Sequence, residues 1–291
     1  MIKPIKMLNV SPLLRGDLGV CLIAVLISTL SVGINAQERS VEAIQIFDGL
    51  RKATSVYATQ NHLYVVESGA NRVLKLNHNG GLVETMGGLG SGSYQMDTPI
   101  DVDATNGLKI FISDSRNNRI QIFDRRFQYL TSIRATSRDG FARAFQPKQL
   151  TVNDFGEVIF YDETTKSFHR FNENGVHQGS FRLPSKVKEV TDIQSDGRMI
   201  YLFDAKQKQY HLISDNGLKI QSFPTGQAAT LFVDEKGVEW AFTLTNMYDV
   251  RDSGNPVYWD YELNVKDATG VGNSYFLMTP NEIFKVTLPS E

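Results

Sequence analysis

The 291-residue sequence predicts an all-β fold, a ring of four-stranded antiparallel blades. Three observations predict it. One hairpin is written twice, as "VVESGANRVLKLN" (residues 65–77) and "ISDSRNNRIQIFD" (residues 112–124), each running apolar strand, acid, polar turn, Arg, strand. The unit around it recurs every 42–48 residues, the length of one propeller blade. Seventeen Phe, eleven Tyr and two Trp suit pleated, half-buried faces.

The chain opens with Lys3, Lys6 and Arg15, then the apolar run "VCLIAVLISTLSV" and a small residue at Ala36. A basic region, an apolar run and a small exit residue read as a secretory signal over residues 1–36. An uncleaved anchor is the alternative, since 19–36 approaches spanning length. The only cysteine, Cys21, lies inside this run, so the domain over 37–291 is read as free of disulfides. The expected location is periplasmic or secreted, or membrane-anchored if the leader stays.

Without residues 1–36 the formal net charge moves from −2 to −4. That disfavours nucleic acid, which calls for a basic face.

The repeat is set by four acids, Glu67, Asp114, Asp162 and Asp204. Six positions on stand Val73, Ile120, Phe168 and Tyr210; nine on, Leu76, Phe123, Phe171 and Ile213. Thirteen on come Gly80, Gly175 and Gly217, each after Asn, with Phe127 as the exception. Asn-Gly between alternating strands predicts a two-residue type I′ turn joining a third strand to a fourth. Turn-and-strand pairs upstream, such as "VNDFGEVIFY", supply the first two strands. Four units fill 51–226, and a weaker fifth begins near Gln227 and ends in "PVYWDYELNV". A sixth begins near Lys266 and runs out after three strands. Residues 41–49, "VEAIQIFDG", are the expected fourth strand, so the N-terminus closes a ring of six blades.

The hairpins, with the linkers "GGLGSGSYQMDTP" and "RATSRDGFARAFQP", resemble the NHL-repeat family of β-propellers. The resemblance is good over 53–147, fair to 226 and poor beyond. It implies the fold more firmly than an activity. Propellers of this kind include protein-binding and RNA-binding modules and a peptide-amidating lyase. Related six-bladed propellers include the metal-dependent gluconolactonases, which "SDGRMIYLFDA" (195–205) also resembles.

Candidate sites follow. Glu67, Asp114, Asp162 and Asp204 would ring one face, either as a rim for a cationic ligand or as caps of their own turns, facing Arg72 and Arg119 in the first two blades. Asp101, Asp103 and Asp192, with Asn153, lie on or beside inner strands, either as turn and strand-end residues or as channel groups that could hold a metal. The aromatics Tyr258, Trp259 and Tyr261 alternate in the fifth blade, as inter-blade packing or as a surface for a glycan or protein. No set of histidines suits a zinc site, and no nucleophile elbow is present. The leading expectation is a non-catalytic, monomeric binding or scaffolding module of the cell envelope, without cofactor. Its partner would be another envelope protein or a glycan, met on the linker rim, with no membrane contact beyond the leader. The alternative is a lactonase- or lyase-type enzyme holding a divalent ion in the channel.

Overall fold

A computed structural model describes residues 39–289, except 106, 138, 139, 215 and 219. The leader over 1–36 lies outside the described residues.

Six antiparallel sheets stand in a ring. Blade 1 runs Ala53–Ala58, Leu63–Glu67, Arg72–Leu76 and Leu82–Gly87 from the channel outwards. Blade 2 is Pro99–Asp103, Lys109–Asp114, Arg119–Asp124 and Tyr129–Ile133. Blade 3 is Pro147–Val152, Val158–Asp162, Ser167–Phe171 and His177–Arg182. Blade 4 is Asp192–Ser195, Met199–Asp204, Gln209–Ser214 and Ile220–Pro224. Blade 5 is Thr230–Val233, Glu239–Phe242, Asn246–Asp249 and the short Val257–Tyr258. Blade 6 is Asp267–Val271, Ser274–Met278 and Ile283–Thr287.

The expected closure is present. Ala43–Phe47 pairs antiparallel with Ile283–Thr287 as the outer strand of blade 6. Just upstream, Arg39–Ser40 pairs parallel with Val257–Tyr258, so the N-terminal segment ties blades 5 and 6 together. Closure gives blade 6 its fourth strand and covers the edge of Ile283–Thr287, since an unpaired edge is the usual weakness of a sheet protein.

Strand alternation builds the core. In blade 1, Val65 faces blade 6 while Tyr64 and Val66 face blade 2. A hydrophobic cluster fills each of the six blade interfaces in this way, and the repeat positions supply it. Val73, Ile120, Phe168 and Tyr210 are all buried, as are Leu76, Phe123, Phe171 and Ile213.

Two local expectations are corrected. The Asn-Gly turns are not type I′, because Asn79 and Asn174 do not take positive φ. Those two are three-residue loops begun by an earlier Asn, while the third has Ser214 in that place, its carbonyl accepting the Gly217 amide. The Asn77 side chain accepts the amides of Asn79 and Gly81, and Gly80, at φ 84°, donates to the Asn77 carbonyl. Asn172 and Gly175 repeat the geometry. The exception now has its reason. In blade 2 the loop is begun by Asp124, and Phe127 takes glycine's place at φ 55° with its ring buried.

The second correction concerns "VYWDYEL". Only Val257–Tyr258 forms a strand, after which the Trp259 amide donates to Thr245 and that of Leu263 to Leu244. Trp259 and Leu263 turn into the blade 5–6 core, while Tyr261 remains 44% exposed. The alternating face therefore never forms: packing at the blade interface outcompetes a longer edge strand.

Candidate functional site

The four repeat acids are fully buried and hold backbone amides. Glu67 accepts the Arg51 amide at 2.7 Å, Asp114 that of Asp97 at 2.8 Å, Asp162 that of Gln146 at 2.7 Å and Asp204 that of Lys188 at 2.6 Å. In each case the partner lies just before the acid's own inner strand, so the carboxylate latches the incoming linker. Burial opposes the charge on Asp162, but the His169 ring at 3.5 Å and hydrogen bonds from Thr165 and the Gln146 amide outweigh it and hold the carboxyl at about 2.

Arg72 pairs with Glu67. Arg119, buried, meets Asp114 at 2.7 Å and donates to the carbonyls of Ser91, Gly92 and Gln95 at 2.8–3.0 Å. Its planar fork clamps the Gly-rich linker into blade 2. Of the aromatics, Trp259 Nε1 donates to the Leu244 carbonyl at 3.0 Å, Tyr258 pairs with Asn246, and Tyr261 meets the Ala43 carbonyl and packs edge-on to Phe284.

The channel carboxylates form a second system. Asp101 accepts the Leu150 amide at 2.8 Å and Asp103 that of Val152 at 2.8 Å, joining blade 2 to blade 3. Asp267 accepts the Val56 amide at 2.7 Å and Thr269 that of Ala58 at 3.1 Å, joining blade 6 to blade 1. Gln194 accepts the Val233 amide at 2.7 Å, joining blade 4 to blade 5. The inner strands of alternate blades thus carry "DVD", "DIQ" and "DAT", and their polar side chains staple the next blade.

Asp267 escaped the sequence reading because blade 6 lacks the repeat acid. The shared Asp-apolar-polar triplet was the available signal.

Burial pushes Asp101 up to about 6. Burial, then the Asp101 charge, pushes Asp267 up to about 7. Asp192 is raised well above the usual carboxylate range by burial and by the charges of Asp267 and Asp101. Three carboxyls feeling one another across a narrow channel do not all ionise together. No group of three or more His, Cys, Asp and Glu is arranged to hold a metal ion, among the described residues.

The inner strands lead to a funnel of about 860 Å³ at the mouth of the channel. It opens where inner strands turn into second strands, on the face opposite the latched linkers. Asp103, Thr151, Gln194 and Thr269 line its depth, with Tyr57, Tyr201 and Phe232 on its walls. Tyr57 and Thr105 share a hydroxyl hydrogen bond at 2.9 Å, and Thr105 donates to Asp103 at 2.6 Å, so three polar groups run from wall to floor. His62, on the blade 1 turn, also lines the funnel, and burial followed by the nearby Lys75 charge lowers its pKa. Sequence reasoning missed the funnel because its lining comes from turns of all six blades.

No protein-family model matches the chain, and no curated protein matches it. The likeness is to solved structures and is one of fold. Virginiamycin B lyase from Staphylococcus aureus aligns at 11% identity over 86% of this chain and 99% of its own, with a TM-score of 0.57. A gluconolactonase from Xanthomonas campestris aligns at 16% over 86% and 90%, with a TM-score of 0.62. The RRP9 WD40 repeats align at 7% over 85% and 98%, with a TM-score of 0.63. The fold is a six-bladed β-propeller with neighbours among lyases and gluconolactonases.

Proposed function

We propose that this chain is an exported, NHL-like binding propeller of the cell envelope, and that it takes a small polar ligand in the channel-mouth funnel. One observation carries the reading: a preformed concavity of about 860 Å³ in which polar side chains converge on a rigid ring. That size lies within the usual range for small-molecule sites, about 300–1,000 Å³. The repeat acids and Arg119, by contrast, are spent on the linkers, which makes the opposite rim a structural belt. The export reading rests on residues 1–36.

The test is thermal unfolding of the full chain against a panel of sugars, organic acids, amines and short peptides. A site on the folded state raises the midpoint saturably. Asn61→Trp, an exposed change at the funnel, should abolish the shift while leaving the unliganded midpoint in place. A saturable shift untouched by that variant moves the site elsewhere.

A second reading is catalytic, favoured by the Tyr57–Thr105–Asp103 chain, which joins a wall hydroxyl to a buried carboxylate. It predicts turnover of a lactone, with or without added divalent ion, that Tyr57→Phe slows.

A further inference from the structure

Above Asp103 in its depth, the funnel's charges are segregated. Lys75, Arg125 and Arg126 come from blades 1 and 2, whereas Asp154, Asp196 and Glu235 come from the turns of blades 3, 4 and 5. The two sets do not pair with one another.

Lys75 is the informative residue. It is only 7% exposed, yet no carboxylate pairs with its ammonium, although Glu84 stands opposite it in register. Its Nζ donates to the Arg125 carbonyl at 2.7 Å and sits 5.7 Å from the centroid of the Phe127 ring. That uses one of three donors. A buried charge without a counter-charge is costly, and such groups are normally paired. The loop that supplies both contacts is the one in which Phe127 adopts the left-handed conformation, so this arrangement is built rather than incidental. Arg125 and Arg126 are exposed beside it and carry no ion pair among the described residues.

The facing wall has the opposite character. Asp154 makes no hydrogen bond or ion pair among the described residues. Asp196 accepts the Tyr201 hydroxyl at 3.0 Å, and Glu235 accepts Gln60 at 3.3 Å. Neither carboxylate has a cationic partner.

We propose that the funnel takes a zwitterionic small molecule, its anionic group held by Lys75, Arg125 and Arg126 and its cationic group turned to Asp154, Asp196 and Glu235. This rests on the funnel being the ligand site. An anion at Lys75 supplies the missing counter-charge and the acceptors for the ammonium's two remaining donors. A ligand of one sign would leave the opposing wall uncompensated. A short peptide with free termini is the simplest member of the class. The termini of a tripeptide lie at most about 10 Å apart.

The test titrates the full chain with trialanine, its N-acetyl form, its C-amide and the doubly capped peptide, beside the sugars and simple acids of the wider panel. Free trialanine should bind saturably, and each cap should weaken binding by about tenfold, the scale of one charge-assisted contact. Arg126→Glu should weaken free trialanine but not the C-amide. Glu235→Lys should weaken free trialanine but not the N-acetyl form. Both residues are exposed, so these variants remain informative if Lys75→Met fails to fold. Doubly capped peptide, a neutral sugar or a simple acid binding as tightly as free trialanine, with Asn61→Trp still blocking it, overturns the zwitterion and keeps the funnel. No saturable binding by any probe overturns both.

Discussion

Asp267, at the start of the last blade's inner strand, accepts the backbone amide of Val56 in the first blade at 2.7 Å. The two residues are 211 positions apart, and their bond is a channel-side closure of the ring in addition to the outer strand Ala43–Phe47. Asp267→Ala leaves the Val56 amide without its acceptor, at a cost of about 1–3 kcal/mol. Asp267→Asn keeps an acceptor and removes a charge, so it should cost less, and least at pH 8. Urea unfolding of both variants checks the order; equal losses would mean that the bond contributes nothing.

Stability should fall as the pH rises through the channel carboxyls. Asp101 is pushed up to about 6 and Asp267 to about 7, with Asp192 raised in the same direction. The folded chain thus keeps protons that the unfolded chain releases near a pH of about 4. Their contribution is complete below that point and is lost as the pH passes 6 and 7. Asp162, held at about 2, works in the other sense: its contribution is present above about 4 and is lost as the pH falls towards 2. Unfolding free energy should therefore decline between pH 5 and pH 8. The decline should flatten in Asp267→Asn and further in the variant that adds Asp101→Asn and Asp192→Asn. A wild-type profile level across that range would show these carboxyls ionised throughout.

Arg119 and Arg72 occupy matching repeat positions but should not be worth the same. The Arg119 side chain is 4% exposed and meets one carboxylate and three linker carbonyls, whereas that of Arg72 is 35% exposed and meets Glu67. Breaking a buried pair from one side costs about 3–5 kcal/mol, and loss of the partly solvated Arg72, which makes one such contact, should cost less. Arg119→Ala should also open residues 90–95 to protease, and Arg119→Lys should rescue little because an ammonium cannot reproduce the fork. Limited proteolysis of Arg119→Ala, Arg119→Lys and Arg72→Ala reads this directly.

Gly80 and Gly175 occupy equivalent loops at φ 84° and 75°. A Cβ on Gly80 would lie 1.7 Å from the Ile46 carbonyl oxygen of the closing strand, whereas one on Gly175 would meet Ile133 at an ordinary 3.7 Å. Gly175→Ala should cost about 1–2 kcal/mol from left-handed strain alone. Gly80→Ala should cost clearly more and loosen Ala43–Phe47, seen as faster hydrogen exchange in that strand. Equal costs would mean that the closing strand moves away freely.

Much of the ring was legible because a blade repeats its constraints. The acid, the two buried positions after it and the Asn-Gly loop recur at fixed offsets, so period and blade count follow from counting. Closure followed too: a three-stranded remainder at one end and a spare strand at the other have one economical solution. Where the markers fade, reading failed in detail. The "VYWDYEL" alternation suggested a strand, but Trp259 finds more apolar surface between blades 5 and 6 than an edge strand would give it. The Asn-Gly pairs marked the loops correctly and their geometry wrongly, because in blades 1 and 3 the Asn two positions earlier binds the loop amides.

By itself the sequence determined the all-β class, the six-fold repeat and the closing strand, since these depend on local periodicity and on offsets within a blade. The tertiary structure decided what the polar residues do. Whether Asp114 faces solvent or a linker amide, whether Asp101 and Asp267 feel each other, and whether Lys75 has a counter-ion all depend on which turns meet around the channel. Residues up to 211 positions apart become neighbours there. Burial and charge act through space, and only the closed ring sets those distances.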